Sequence, residues 1–332
     1  MSASPARAAL DRALESPEAS GEAVRFDLEA EEGAPAIESI VAQPRGAHWL
    51  FATYGLTRLD EEPAAPRRGY ELVLRVPVDG TASAAPEGSP RVEAPAAPLW
   101  PVELLRAVAS YLESTGAELA DGHTVDVGGP IARDVETKLT AVVAVNDPAI
   151  APFETPFGPV RLLELVGIAA DEHDLLLDWS VAGLIELLAR DNPLLVTDLR
   201  RESILETALA SEARARAERE GSSLERLSAD LRVQMDDSGR VASVAVGPTA
   251  VGPLRRVLKS RLGHQKTVTI DGSAGVLQIV PGEEPGWTAT DDGVRLTLPA
   301  EVALDWQEEL AEQPPEVPRA FVQDFWVVLS AD

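Results

Sequence analysis

The chain has 332 residues, 29 basic against 55 acidic, with four histidines and no cysteine. That length holds two domains of ordinary size, and a hydrophobic fraction of 45% suits packed cores rather than disorder. The lack of cysteine removes disulfides and thiolate metal sites, and a formal charge of −26 opposes binding to phosphate backbones. No apolar run approaches the ~20 residues of a membrane helix, and Met1-Ser2-Ala3-Ser4-Pro5 has no secretory pattern. A cytoplasmic protein is therefore expected, with neither nucleic acid nor membrane among its partners. The charge suits either a soluble acidic protein or one steered onto a basic partner.

Residues 1–35 are rich in Ala, Glu, Ser and Pro and are expected to be poorly ordered, apart from two helical turns over 8–14. Residues 37–42 lead into the fold. His48-Trp49-Leu50-Phe51-Ala52-Thr53-Tyr54 reads as a strand ended at Gly55. After a charged loop over 60–68, Tyr70, Leu72, Leu74 and Val76 alternate with Glu71, Val73 and Arg75, which predicts a second strand with one buried face. Residues 79–97 read as a Pro/Ala/Gly/Ser-rich surface loop. Trp100-Pro101 opens a helix, because proline at a first helical position loses no hydrogen bond. Its stripe is Leu104, Leu105, Val108 and Tyr111-Leu112, and Gly116 stops it.

The loop Ala120-Asp121-Gly122-His123 leads to a short extended stretch over 124–127. Residues 139–145 are an apolar, β-branched strand stopped by Asn146-Asp147-Pro148. Thr155-Pro156-Phe157-Gly158 is a turn, 160–168 a strand, 184–188 the apolar face of a helix, and 193–196 a further strand. Residues 205–220 have helix propensity. Beyond them come a hairpin (231–235 and 241–246), a helix (251–262), a second hairpin (266–270 and 275–280), a strand (294–298), a helix from Pro299 to about Glu312, and a closing strand (325–329). This pattern predicts the α+β class, mixed in its sheets: two lobes, each a mixed or antiparallel sheet packed with helices.

No phosphate loop, His-Glu-x-x-His, Gly-x-Ser-x-Gly or dinucleotide fingerprint is present. Asp171-Glu172-His173-Asp174 is the densest cluster of ligand-type residues. Four consecutive helical residues cannot reach one ion, so first-turn acids favoured by the helix dipole are the expected reading. No metal and no cofactor is expected. Arg200 and Arg201 read as solvent-facing or paired to carboxylates.

Several pieces, in this order and spacing, resemble the Suppressor of fused family: Asn146-Asp147-Pro148, Thr155-Pro156-Phe157-Gly158, Leu165-Val166-Gly167-Ile168, Asp171-Glu172, Gly183-Leu184-Ile185-Glu186-Leu187-Leu188 and Thr197-Asp198-Leu199-Arg200-Arg201. Arg261-Leu262-Gly263-His264-Gln265-Lys266 resembles the family's C-terminal lobe. The resemblance implies an N-terminal-like domain over 36–215, a linker over 216–230 and a C-terminal-like domain over 231–332. It implies that an extended peptide adds as a strand between the lobes. It assigns groove positions to Tyr111, His123, His264 and Lys266. The family's two acidic groove residues correspond to Gly122, or Asp121 after a gap, and to Asn146, so a groove here would not read the animal partner's motif. With Asp147 these seven residues are the expected partner-binding set, and no residue is expected to be catalytic.

The expected function is non-catalytic binding of a protein or peptide. Bacterial chains resembling this family are often proposed as immunity proteins, so sequestration of a basic toxin is its most concrete version. The alternatives are a hydrolase using Asp121, His123 and Asp147, and a purely structural or oligomeric protein.

Overall fold

The computed structural model of the chain describes residues 5–15, 19–28, 37–57, 68–78, 96–235, 241–247, 250–272, 274–312, 319–322 and 325–329. Most of the loops expected over 60–68 and 79–97, and the turn joining the first C-terminal hairpin, lie outside the described residues. The α+β class and the organisation into two lobes of sheet and helix are as expected. One compact unit comprises Met1–Ala170 with Ile185–Ser203, the other Asp171–Leu184 with Ile204–Asp332.

In the first unit, eight described strands form one sheet: β1 (Val24–Asp27), β2 (Ser39–Arg45), β3 (His48–Tyr54), β4 (Tyr70–Pro77), β5 (Thr124–Asp126), β6 (Leu139–Asn146), β7 (Phe153–Thr155) and β8 (Gly158–Ala169). Their order is β1-β2-β3-β4-β8-β6-β5, with β7 paired to β8. The β4–β8 pair is parallel and the other pairs are antiparallel. Helix α2 (Trp100–Thr115) opens at Trp100 with Pro101 in its first turn, ends at Gly116, and buries Leu104, Leu105, Val108 and Leu112 at helical spacing. These pack with Trp49, Phe51, Tyr70, Leu72, Leu74 and Val76. Helix α1 (Pro5–Leu14) buries Leu10 and Leu14 with Leu50, Ala52, Tyr54 and Val73. Successive strand residues point to opposite faces, so α1 and α2 cover opposite faces of β3 and β4.

That double cover corrects the single buried face expected of β4. Every β4 residue except Pro77 is buried, including Glu71 and Arg75. Polar strand residues go inside only when their hydrogen bonds are met, and here they are. Glu71 accepts from the Thr53 and Thr57 hydroxyls (both 2.6 Å) and from the Gly55 and Thr57 amides (3.1 and 3.0 Å). It thereby holds the turn that ends β3. Burial pushes its carboxyl up, and these donors pull it back.

The strand expected over 193–196 is also corrected: those residues form a turn and extended coil. Asn192 takes over the pairing a ladder would supply, its side chain accepting from the Val196 amide (2.9 Å) and donating to the Val196 carbonyl (2.8 Å). Leu195 adopts φ 54°, outside the strand region. The segment then fills the gap where β4 leaves β8. The Thr197 amide donates to the Arg75 carbonyl (2.8 Å), and the Thr197 hydroxyl accepts from the Gly167 amide (2.9 Å). Arg201 donates to the Gly167 carbonyl (2.8 Å). A Cβ on residue 167 would lie 2.7 Å from Thr197 Cγ2 and 2.9 Å from Ile131 Cδ1, so glycine is needed for this close approach.

The second unit holds β9 (Arg226–Ser228), β10 (Leu231–Met235), β11 (Val241–Val246), β12 (Val268–Gly272), β13 (Gly275–Pro281), β14 (Gly286–Ala289), β15 (Gly293–Leu298), β16 (Arg319–Val322) and β17 (Phe325–Leu329). Described strands form a four-stranded sheet, β10-β11-β17-β16, and a five-stranded sheet, β14-β15-β13-β12-β9. Leu254, Val257, Leu258 and Leu262 pack with Ile270, Leu277, Leu296 and Trp306 in its core. The helix expected over 205–220 is split into a 3-10 turn (Ile204–Glu206) and α3 (Ala210–Glu220). The Thr207 hydroxyl causes the break, donating to the Ile204 carbonyl (2.8 Å) and accepting from the Leu209 amide (3.2 Å).

Candidate partner-binding site

Asp121, His123 and Asn146 come together at the β5 end of the first sheet. The Asp121 carboxylate accepts from the Asn146 amide (2.8 Å), fastening the loop before β5 to the end of β6. Ala144 receives the Gly122 amide on its carbonyl and donates to the His123 carbonyl (2.8 Å each). His123 Nδ1 lies 3.3 Å from the Glu118 carbonyl. The side chains of Asp121, His123 and Asn146 are exposed.

β5 ends the strand order, and no described strand pairs with its outer side. His123 and Val127 bond to β6 through Ala144 and Thr140, and the register pairs Val125 with Val142. Antiparallel ladders alternate, so Thr124 and Asp126 turn their amide and carbonyl groups away from β6. The result is an extended edge with free backbone groups beside exposed carboxylate, imidazole and amide side chains.

Tyr111 sits on the last turns of α2 and is 47% exposed. The turn under it is fixed: Arg68 donates to the Leu112 carbonyl (2.9 Å) and the Ala117 carbonyl (2.6 Å) and pairs with Glu118 (2.8 Å). Tyr111 thus presents an aromatic ring outward from a rigid support.

Asp147 is placed differently. Its carboxylate is wholly buried, held by Arg75 through two bonds of 2.7 and 3.1 Å. It also accepts from the Ala149 and Ile150 amides (2.8 and 2.7 Å), shaping the turn after Pro148. Glu164 makes a second contact to the same guanidinium, and its other oxygen has no partner. Burial, with the Asp147 charge beside it, pushes the Glu164 carboxyl well above the usual range against the pull of Arg75. Asp121, His123 and Asp147, the residues of the hydrolase alternative, are each engaged with a different group: the Asn146 amide, the Glu118 carbonyl and Arg75.

In the second unit, His264 and Lys266 converge on the end of α3. His264 Nε2 lies 3.0 Å from the Glu218 carbonyl, and its Nδ1 is buried without a partner. Lys266 donates to the Glu220 and Ser222 carbonyls (2.7 and 3.3 Å). The last carbonyls of a helix lack intrahelical donors and carry its negative end, so both side chains cap it. Burial and the neighbouring Arg261 charge lower the Lys266 pKa.

The 171–174 cluster is dispersed. Glu172 is buried and accepts from the Ile204 amide (2.8 Å), Asp171 accepts from the Glu172 amide (2.9 Å), and Asp174 pairs with Arg256. Among the described residues no group of three or more His, Cys, Asp or Glu could hold a metal ion. Arg200 pairs with Asp198 (3.1 Å), and Arg201 reaches Gly167 as above. No described helix is long and apolar enough to cross a membrane.

Residues 33–202 match the family model described as Suppressor of fused protein (SUFU). That is more than half of the chain, and the chain belongs to this family. The human Suppressor of fused homolog is 28% identical over 221 residues, which cover 60% of this chain and 43% of the relative. The mouse homolog is 28% identical over 173 residues, covering 48% and 33%. The chain thus spans less than half the length of these relatives. The crystal structure of Drosophila Suppressor of Fused superposes with a TM-score of 0.75 at 17% identity, covering 99% of this chain and 97% of that one. A chain of the Sufu-Fu complex gives 0.54 at 22% identity, covering 64% and 97%. Both likenesses show the fold.

Proposed function

We propose that this chain is a non-catalytic binding protein that takes an extended segment of a polypeptide partner onto the β5 edge. The observation that carries the reading is the outward-turned backbone of Thr124 and Asp126, flanked by the exposed Asp121, His123 and Asn146. Strand addition draws affinity from main-chain hydrogen bonds and specificity from neighbouring side chains. Tyr111 supplies an aromatic contact, a residue type that concentrates binding energy. Asp147 works from inside, holding the 147–150 turn through Arg75. His264 and Lys266 fix the α3 terminus in the second unit. The solved Sufu-Fu complex supports protein binding as the kind of role this fold serves.

In its most concrete form the partner is a basic toxin and the chain its cytoplasmic immunity protein. The charge of −26 favours encounter with a basic surface. Pull-down from native lysate tests this with three baits: the wild type, Tyr111→Arg and Thr124→Pro. Proline at 124 removes an outward amide and leaves the bonds to β6 in place. The wild type should retain a basic polypeptide that both variants lose by about tenfold or more, with unchanged circular dichroism. Equal retention by all three, or no protein retained at any salt concentration, contradicts the reading.

A further inference from the structure

We propose that the opposite edge of the same sheet, β1, pairs with β1 of a second copy of this chain, antiparallel about a two-fold axis through Phe26. β1 stands at the other end of the strand order from β5, so the two interactions are independent.

The Leu28 amide donates to the Glu38 carbonyl (2.9 Å), and the register pairs Phe26 with Ile40 and Val24 with Ala42. By the alternation of an antiparallel ladder, Val24, Phe26 and Leu28 bond to β2 while Arg25 and Asp27 turn their amides and carbonyls outward. No described strand pairs with that side. Val24-Arg25-Phe26-Asp27 carries no proline and no bulge, and its pairing with β2 is regular; its shortness and its two charges restrict pairing to a partner of matching charge.

The charges select the partner. A two-fold axis through Phe26 sets Arg25 opposite Asp27 of the second copy twice, giving four backbone bonds and two opposite-charge pairs. An axis through Arg25 sets arginine against arginine, and one through Asp27 sets aspartate against aspartate. Like charges directly opposite are destabilising, so one register is favoured and it is self-complementary. Arg25 and Asp27 are exposed, 42% and 82% at their side chains, and 2.8 Å apart within one copy. They can re-pair across the edge without desolvating a buried group. Phe26 packs inward against the core, so the pairing buries little apolar area and the dimer is a weak, reversible one.

Analytical ultracentrifugation of the full chain over a concentration series at physiological salt tests the proposal. The wild type should show a reversible monomer–dimer equilibrium. Arg25→Asp and Asp27→Arg, each with wild-type circular dichroism, should raise the dissociation constant about tenfold or more. An equimolar mixture of these two variants should associate again, because the acidic strand then faces the basic one. Combining both changes in one chain should also restore the dimer. A wild type that stays monomeric, a dimer indifferent to either reversal, or a mixture of the two variants that stays monomeric overturns it.

Discussion

Replacing Arg75 with methionine should lower the melting midpoint of the first unit by roughly 10 °C or more, the largest effect expected of one substitution there. The guanidinium is the counter-ion of two buried carboxylates, Asp147 and Glu164. Methionine fills similar space and leaves both without it, and removing one partner of a buried ion pair costs about 3–5 kcal/mol. The consequence spreads, because the Arg75 carbonyl receives Thr197 and Asp147 organises the turn after β6. pH has a definite sign. The folded pKa of Glu164 is raised above its ordinary value, so its contribution is fully present below that ordinary value and is lost as pH rises through the folded one. Without the guanidinium the raised value moves further up, so the gap between wild type and Arg75→Met should widen from acid towards neutral pH. Thermal melts at a series of pH values check this. A variant within ~2 °C of wild type at neutral pH would contradict the assignment of Arg75 as the common counter-ion.

Gly221→Ala should unsettle the second unit comparably, at about 3 kcal/mol or more. Residue 221 has φ 64° and ψ 172°, a region essentially restricted to glycine. A Cβ there would lie 2.2 Å from the Ser260 carbonyl and 2.7 Å from the His264 ring. Lys266 bonds the Glu220 and Ser222 carbonyls on either side of this residue and His264 the Glu218 carbonyl, so the alanine variant should also release them. The measurement is the melting midpoint of the second unit together with the NMR signals of the His264 ring. An unchanged midpoint and unchanged ring signals would show that the 218–222 turn is not held as described.

The sequence was most informative where burial alone decides structure. Trp49 and Phe51, the α2 stripe, and 139–145 each carry an apolar period that one element satisfies. It misled where a polar side chain stands in for something else. Glu71 and Arg75 read as a solvent face because their partners, Thr57 and Asp147, lie 14 and 72 residues away. A glutamate and an arginine four apart in an otherwise apolar strand was the available signal for that buried network. Residues 193–196 read as a strand because the sequence does not display a ladder made by the Asn192 side chain. The three- and four-residue edge strands β9, β14 and β16 carry too few residues for a period to register. In the candidate site, Asp121, His123 and Asn146 taken alone read as loop residues around turns, and the family resemblance is what marks them as groove positions. What their side chains flank, the outward backbone of Thr124 and Asp126, depends on pairing parity with β6 and has no side-chain signature. Asp147 was recognisable as part of an Asp-Pro turn, but its buried tie to Arg75 required the sheet to be assembled.

Amide hydrogen exchange of the full chain, alone and with the polypeptide it retains, tests strand addition most directly. Binding should slow exchange of Thr124 and Asp126 strongly, while Val125, already bonded to β6, changes little. Unchanged exchange at Thr124 and Asp126, with protection appearing on another surface of the chain, would contradict it.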